Sequence, residues 1–299
     1  MHPPTPLADS LGRAFSIRDA TAAGMSYGRL RGRDLDRPFH GVRATAPAEV
    51  LIERCADYAP RMRDDEFFCS VTAALLHGVP LPLVHERDPR LHVAVPNPRR
   101  APRSRGIVGH KFLVHPERGE VVAVAGLRVS SPERAWCELG AVLDLRELVR
   151  AGDHIIRPAN GLSSAGRLRK TLERHPARRG RETLHAAFGL LHPGAESPPE
   201  TDLRLICVEA GLRGFSVNFE VSIPGSTRRR RIDLAFVREK VALEYQGDHH
   251  RDVRQWREDM TRLAELESIG WKVVYVNADD LRDPVALVAR IRRVLADRG

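Results

Sequence analysis

Lysine, cysteine and long apolar runs are all scarce in this chain, and each scarcity narrows what it can be. Lysine occurs only at Lys111, Lys170, Lys240 and Lys272, although Lys and Arg together number 48. The positive charge is therefore almost wholly arginine, whose planar fork can bond two phosphate oxygens at once; a GC-rich genome leaves the same mark. The four cysteines, Cys55, Cys69, Cys137 and Cys207, lack CxxC or CxxH spacing and sit in apolar surroundings. They read as buried free thiols in a reducing compartment. No apolar run approaches the roughly 18 residues that a membrane span requires, and the N-terminus has no signal-peptide core. A cytoplasmic location and no membrane partner are expected. Aromatic residues make up 5% of the chain and do not form the stacking motifs of single-strand RNA readers.

What is present points to a globular, basic protein. The 299 residues are 42% hydrophobic, with a formal charge of +9 and a pI near 10.0. This length suits two or three domains, and this charge suits a polyanionic partner such as nucleic acid. A Pro/Gly-rich stretch at 191–199 has linker chemistry. Composition separates a short helical unit at 1–45 and a mixed helix and strand segment at 46–190, and the linker sets both apart from a C-terminal unit at 197–299. The fold class expected is α/β, with an α+β N-terminal half.

In the first segment, a helix opened by Ser16 would place Ala20, Gly24 and Leu30 at its fifth, ninth and fifteenth positions. Those are the small packing residue, the turn glycine and the apolar second-helix residue of a helix-turn-helix. Ser26 would cap the second helix and leave Tyr27, Arg29 and Arg31 outward as groove or phosphate contacts. Residues 37–43 would be the strand of a wing. A plain helical hairpin with a basic surface fits the same residues. In the middle segment, 70–78 reads as a capped helix, 91–96 and 121–129 read as strands, and 131–139 opens a helix with Ser131 and Pro132. Its histidines lack metal-ligand spacing.

Chemistry concentrates at the C-terminus. Ser197 and Glu200 begin a helix that stops at Gly211, so Glu200 reads first as half of a capping box. A strand over 217–223 follows, then four arginines, Arg228, Arg229, Arg230 and Arg231, and a β-hairpin with strands 232–237 and 241–246. With the turn centred between Arg238 and Glu239, Asp233 lies directly across from Glu244 on one face, and Gln246 shares that face. Acids on otherwise apolar strands need compensation, and two carboxylates with a carboxamide form a site for a hard cation such as Mg²⁺ or Mn²⁺. An arginine pairing with either acid is the alternative. Arg228 to Arg231 either grip phosphates beside the acids or form a solvated hairpin edge. Gln255, Asp259 and Arg262 recur on one face of the next helix, and an ion pair between the last two is the simpler account of them.

The order helix glutamate, Asp233, then Glu244-x-Gln246 after a hairpin resembles the PD-(D/E)xK nuclease superfamily. The continuation through His249 and His250, then Gln255, Asp259 and Arg262 and a strand at 270–276, is similar to very-short-patch-repair-like (Vsr-like) endonuclease domains. This resemblance covers residues 197–299 and implies a restriction-endonuclease-like mixed sheet flanked by helices. It implies further that Asp233 and Glu244 bind the metal, with the Tyr245 carbonyl as a third ligand and Glu200 acting through a water. Gln246 stands where the superfamily usually has lysine. His249 or His250 would then serve as general acid or base, unless both simply form a polar turn. The resemblance turns the face of Gln255, Asp259 and Arg262 towards the site.

The N-terminal half, through 67–80 and 126–136 after the helix-turn-helix, resembles AbiEi-type antitoxins and transcriptional regulators. That resemblance implies DNA binding and a partner protein in toxin–antitoxin biology or phage defence. The expected function is thus a divalent-metal-dependent DNA endonuclease in defence, toxin–antitoxin biology or DNA repair. The rival is a DNA-binding regulator that retains an idle nuclease fold. Cutting both strands would favour a homodimer, since each hairpin carries one site.

Overall fold

The computed structural model describes residues 5–176, 179–224, 229–247 and 253–299. The fold is α/β: helices flank mixed sheets. The chain divides into two compact units, 1–144 with 166–184 and 145–165 with 185–299. Residues 145–165, which the sequence reading leaves inside the 46–190 segment, thus pack within the C-terminal unit. Among the described residues no helix is long and apolar enough to cross a membrane.

The first unit begins with β1 (Ala14–Ser16) and α1 (Ile17–Ala22). Ser16 caps α1 through the Asp19 amide, and Gly24 (φ +84°) turns the chain after it. Ala20 and Leu30 are buried as expected, packed with Phe15 and Leu35. The second helix of the expected helix-turn-helix is not formed. Residues Arg29–Arg31 make a single 3₁₀ turn between Gly28 and Gly32, too short for a recognition helix and flanked by residues that disfavour one. Ser26 nevertheless takes the Arg29 amide at 3.2 Å. The strand expected over 37–43 is displaced to β2 (Val42–Ala44), which pairs antiparallel with β1.

Next come α2 (Leu51–Tyr58), β3 (Phe67–Phe68), α3 (Ser70–Leu76), α4 (Leu83–Glu86), β4 (Leu91–Pro96), β5 (Ile107–Phe112), β6 (Val121–Val124), β7 (Leu127–Ser130) and α5 (Pro132–Leu139). Strands β3 to β7 form a five-stranded mixed sheet in the order β5-β4-β3-β7-β6. The single strand expected over 121–129 is instead a hairpin. Ala125 and Gly126, both at positive φ, form the two-residue turn that matches strand twist. Ser131 caps α5 through the Arg134 amide, with Pro132 in the first turn, as expected. The Ser70 amide is held by Glu138 at 2.7 Å, so Ser70 starts α3 without capping it.

The second unit opens with α6 (Leu145–Ile156); α7 (Ala165–Arg174) then belongs to the first unit but for Ala165, α8 (Arg181–Gly189) runs from the first into the second, and α9 (Pro198–Glu209) lies in the second. Asp153 of α6 is buried and accepts from the His192 amide, the Thr201 hydroxyl and Arg204, joining α6 to α9. Then come β8 (Phe215–Ser222), β9 (Arg229–Phe236), β10 (Val241–Tyr245), α10 (Val253–Ser268), β11 (Lys272–Val276), α11 (Ala278–Arg282) and α12 (Pro284–Ala296). The sheet order is β11-β10-β9-β8; β8, β9 and β10 are antiparallel neighbours, and β11 is parallel to β10. A parallel pair needs a crossover, and α10 supplies it. One face packs Leu234, Phe236, Val241 and Leu243 against α9 and α12. The other packs Ile232, Ala235 and Ala242 against Leu266 of α10 and Trp271. Over 232–236 and 241–245 both central strands are therefore apolar on both faces, apart from their acids. The four cysteines are buried and unbridged, and burial pushes the Cys55 and Cys207 thiols up to about 12.

Candidate active site

The hairpin register is Phe236–Val241, Ala235–Ala242, Leu234–Leu243. One more step puts Asp233 opposite Glu244, on the side of the sheet that Ala242 shares with α10. At this step the backbone ladder gives way to side chains. The Tyr245 amide donates to Asp233 Oδ2 at 2.8 Å, and the Arg231 carbonyl accepts from the Arg262 guanidinium. The Gln246 amide donates instead to the Val276 carbonyl of β11 at 2.7 Å. The two acids therefore sit where β9 and β10 cease to bond to each other.

Their electrostatics are unfavourable without a cation. Glu244 is buried and Asp233 half-buried. Desolvation is the main reason that Asp233 is raised to about 6; Glu200 adds repulsion, and the Tyr245 amide, Arg262 and Arg231 oppose the rise. Glu244 is raised to about 8, first by desolvation, then by Asp233 and more weakly by Glu200, with Arg262 opposing. Arg262 reaches Glu244 Oε2 at 2.5 Å, while Oε1 is buried with no hydrogen-bond partner among the described residues. A like charge beside a buried carboxyl adds to the cost of ionising it, and here Asp233 does this to Glu244.

Glu200 is held as a helix cap. It accepts from the Ser197 hydroxyl and the Glu196 amide, each at 2.8 Å, and Asn218, at positive φ in β8, donates to it at 3.5 Å. Its charge is felt by both acids, but its oxygens are committed locally. Among the described residues no group of three or more His, Cys, Asp and Glu side chains is arranged as a metal site. The donors that meet here are a carboxylate pair. The Glu244 Oε1, without a partner among the described residues, and the raised pKa values of both acids nevertheless fit a hard divalent cation, which takes oxygen ligands.

The expected supporting residues fare differently. Arg262 faces the site and pairs with Glu244, so the arginine alternative for that acid is realised in part. The side chains of Gln255 and Asp259, together with His249, His250 and Arg228, lie outside the described residues. Arg229 pairs with Glu220 at 3.1 Å, Arg230 with Glu265 at 2.5 Å and Arg231 with Glu196. These arginines are thus engaged with carboxylates along the hairpin. In the first unit, Arg29 makes two bonds to Asp34, at 2.7 and 3.1 Å, while Tyr27 and Arg31 are exposed. Asn218 was not anticipated from the sequence; a lone Asn among apolar and aromatic strand residues was the available signal.

No protein-family model matches the chain. It is 30% identical over 274 residues to "Uncharacterized protein Rv2248" of Mycobacterium tuberculosis strain H37Rv, covering 89% of this chain and 94% of that protein. The same figures hold for "Uncharacterized protein MT2308" of the CDC 1551 / Oshkosh strain. Among solved structures, the RV2827C protein from Mycobacterium tuberculosis aligns with a TM-score of 0.40 at 16% identity, over 65% of this chain and 76% of that one. That likeness is too distant to inform the site.

Proposed function

The chain belongs to the family of the Mycobacterium tuberculosis proteins Rv2248 and MT2308, and we propose that it is a divalent-metal-dependent DNA endonuclease. The observation that carries this reading is the buried Glu244 beside the half-buried Asp233 where the β9–β10 ladder ends, with one Glu244 oxygen unpartnered among the described residues. A structural acid at such a place would be surrounded by donors. Asp233 has the Tyr245 amide and Glu244 has Arg262 on one oxygen only.

Asp233, Glu244 and the Tyr245 carbonyl would hold Mg²⁺ or Mn²⁺, which when bound polarises a phosphodiester and lowers the pKa of an attacking water. Glu200 adds negative potential and keeps the cap of α9 rigid. Arg262 stands beside Glu244 with a guanidinium able to turn to a phosphate oxygen, the position left without a cation by Gln246. His249 and His250 remain candidates for proton transfer. DNA is the proposed substrate on the strength of charge and site chemistry, and a homodimer would supply two sites for a double-strand break. A role in phage defence, toxin–antitoxin biology or repair is proposed with it, and the buried free thiols support a cytoplasmic setting.

The Glu244–Arg262 ion pair also favours a second reading, a DNA-binding regulator whose nuclease fold is idle. Incubating supercoiled plasmid with the protein and Mg²⁺ or Mn²⁺ separates the two. Nicking or linearisation by the wild type, lost with EDTA and in Glu244→Ala, is expected. Intact plasmid together with a gel shift that survives EDTA would overturn the enzyme reading in favour of the regulator.

A further inference from the structure

Away from the acid pair, the first unit carries a concentration of arginines that its own carboxylates do not neutralise. A cleft of about 910 Å³ is lined by Arg37, Arg43, Arg54 and Arg105, with Asp36 and Asp57 as its acids. A second cleft of about 480 Å³ is lined by Arg61, Arg63, Arg100 and Arg103, with Glu66 as its acid. The two are neighbours. Arg61 of the second donates to the His40 carbonyl and to Ser104 at the rim of the first. Phe39 of the first meets Tyr58 of the second edge to face at 5.0 Å between centroids. Arg61 also lies over the Tyr58 ring, 5.6 Å from its centroid.

Four of these guanidinium groups have no protein partner among the described residues. Arg63 pairs with Glu66 and Asp65, Arg37 donates to the Arg31 carbonyl, and Arg43 donates to the Leu30 and Val42 carbonyls. By contrast Arg54, Arg100, Arg103 and Arg105 have no hydrogen-bond or ion-pair partner among the described residues. Three of the four stand on the loop between β4 and β5, which is pinned to the sheet. The Asn97 amide bonds Phe112, Leu91 bonds Gly106, and Gly109 of β5 has no room for a Cβ because the Pro102 carbonyl lies against it. The free charges therefore project from a fixed platform. Within the first cleft, burial and the like charge of Arg37 both depress Arg43, a sign of positive groups crowded together.

We propose that these two joined clefts bind the phosphodiester backbone of a nucleic acid, with Arg54, Arg100, Arg103 and Arg105 as the phosphate contacts. Free arginine forks suit phosphate oxygens. A row of them across two adjoining clefts suits the repeated charge of a polyanion better than a single carboxylate. The surface is distinct from the residues 27–31 that a helix-turn-helix would have used. The inference rests on the DNA endonuclease reading for the identity of its substrate, and not for the cutting.

The test is binding of a fluorescent duplex DNA in EDTA, where no cutting occurs, over a range of salt concentrations. Single-stranded DNA and duplex RNA of equal length identify which backbone is preferred. Arg54→Ala/Arg105→Ala and Arg100→Ala/Arg103→Ala remove side chains without partners, so melting temperatures should match the wild type. Each double variant is expected to weaken binding to all sequences alike. Each should also make the slope of log affinity against log salt shallower by about 1.8, from about 0.9 per contact. Wild-type affinity and slope in both variants would overturn the proposal, as would tighter binding to an acidic polypeptide than to any nucleic acid. Plasmid cutting that persists beside unchanged binding would sink the cleft and leave the endonuclease. Weakened binding in a protein that never cuts would leave the cleft and sink the endonuclease.

Discussion

Glu138 in the first unit and Glu244 in the second are both 5% exposed, and both face an arginine. The settings around them differ. Glu138 accepts from the Ser70 amide, the Ser130 hydroxyl and Arg134, and Arg134 is itself tied to Glu120 and the Leu113 carbonyl. Burial raises Glu138, and its other neighbours named here all pull it down. Glu244 has one arginine on one oxygen, and two further carboxylates push it up. A buried acid ringed by donors holds structure together. A buried acid beside other acids is held in place by the fold against its own electrostatics, which is the common condition of functional sites.

The contrast can be broken most sharply in the first unit. Glu138→Ala leaves Arg134 buried and short of a partner, and should cost about 3–5 kcal/mol in chemical denaturation. If Glu244→Ala costs as much, the distinction between the two acids fails. In the second unit the expected signature is pH dependence. Asp233 and Glu244 have ordinary values of 3.8 and 4.5, and folded values of about 6 and about 8. Because the folded values are higher, the unfolded chain gives up its protons first as the pH rises. The penalty is absent below the lower values and grows by about 1.4 kcal/mol per pH unit for each group. It levels off above about 6 for Asp233 and about 8 for Glu244. Melting in EDTA should therefore fall between pH 4.5 and 8, and Glu244→Gln should flatten the upper part. Mg²⁺ or Mn²⁺ should restore stability near pH 8 in the wild type, and no metal effect there would argue for an idle site.

A finer test concerns Arg262. Arg262→Ala should move the upper edge of that pH window above 8, because the guanidinium is what opposes the rise of Glu244; Arg262→Lys should return it part of the way. A window that stays in place would show that the pair does not tune the acid. The smallest expected effect is that of Ser131→Ala at the head of α5, about 1 kcal/mol from the lost cap, readable as a small drop in melting temperature. It calibrates how much of the Glu138 effect comes from the helix and how much from the buried network.

Much of the second unit is legible from local pattern. The turn centre at Arg238 and Glu239 places Asp233 against Glu244, and the backbone pairing follows that register. Ser197 caps α9 through the Glu200 amide as its spacing announces, but the Glu200 carboxylate accepts from the Glu196 amide rather than that of Ser197. In the first unit the same kind of reasoning fails at the second helix, where Gly28 and Gly32 leave only a 3₁₀ turn, and at 121–129, where Ala125 and Gly126 hide a hairpin inside one apolar run. Both failures come from backbone conformations at small residues. The pattern of apolar positions does not register them.

Periodicity, capping residues and turn chemistry are properties of neighbours in the chain. By themselves they determined the α/β character, the C-terminal hairpin and the opposition of its two acids. Which charge meets which is a property of neighbours in space. That Arg262 reaches Glu244, that Arg229, Arg230 and Arg231 are engaged with acids, and that Arg54, Arg100, Arg103 and Arg105 are left over among the described residues was decided only when strands and helices from distant stretches packed. Long arginine side chains can choose among many carboxylates, and only the packed backbone removes that choice.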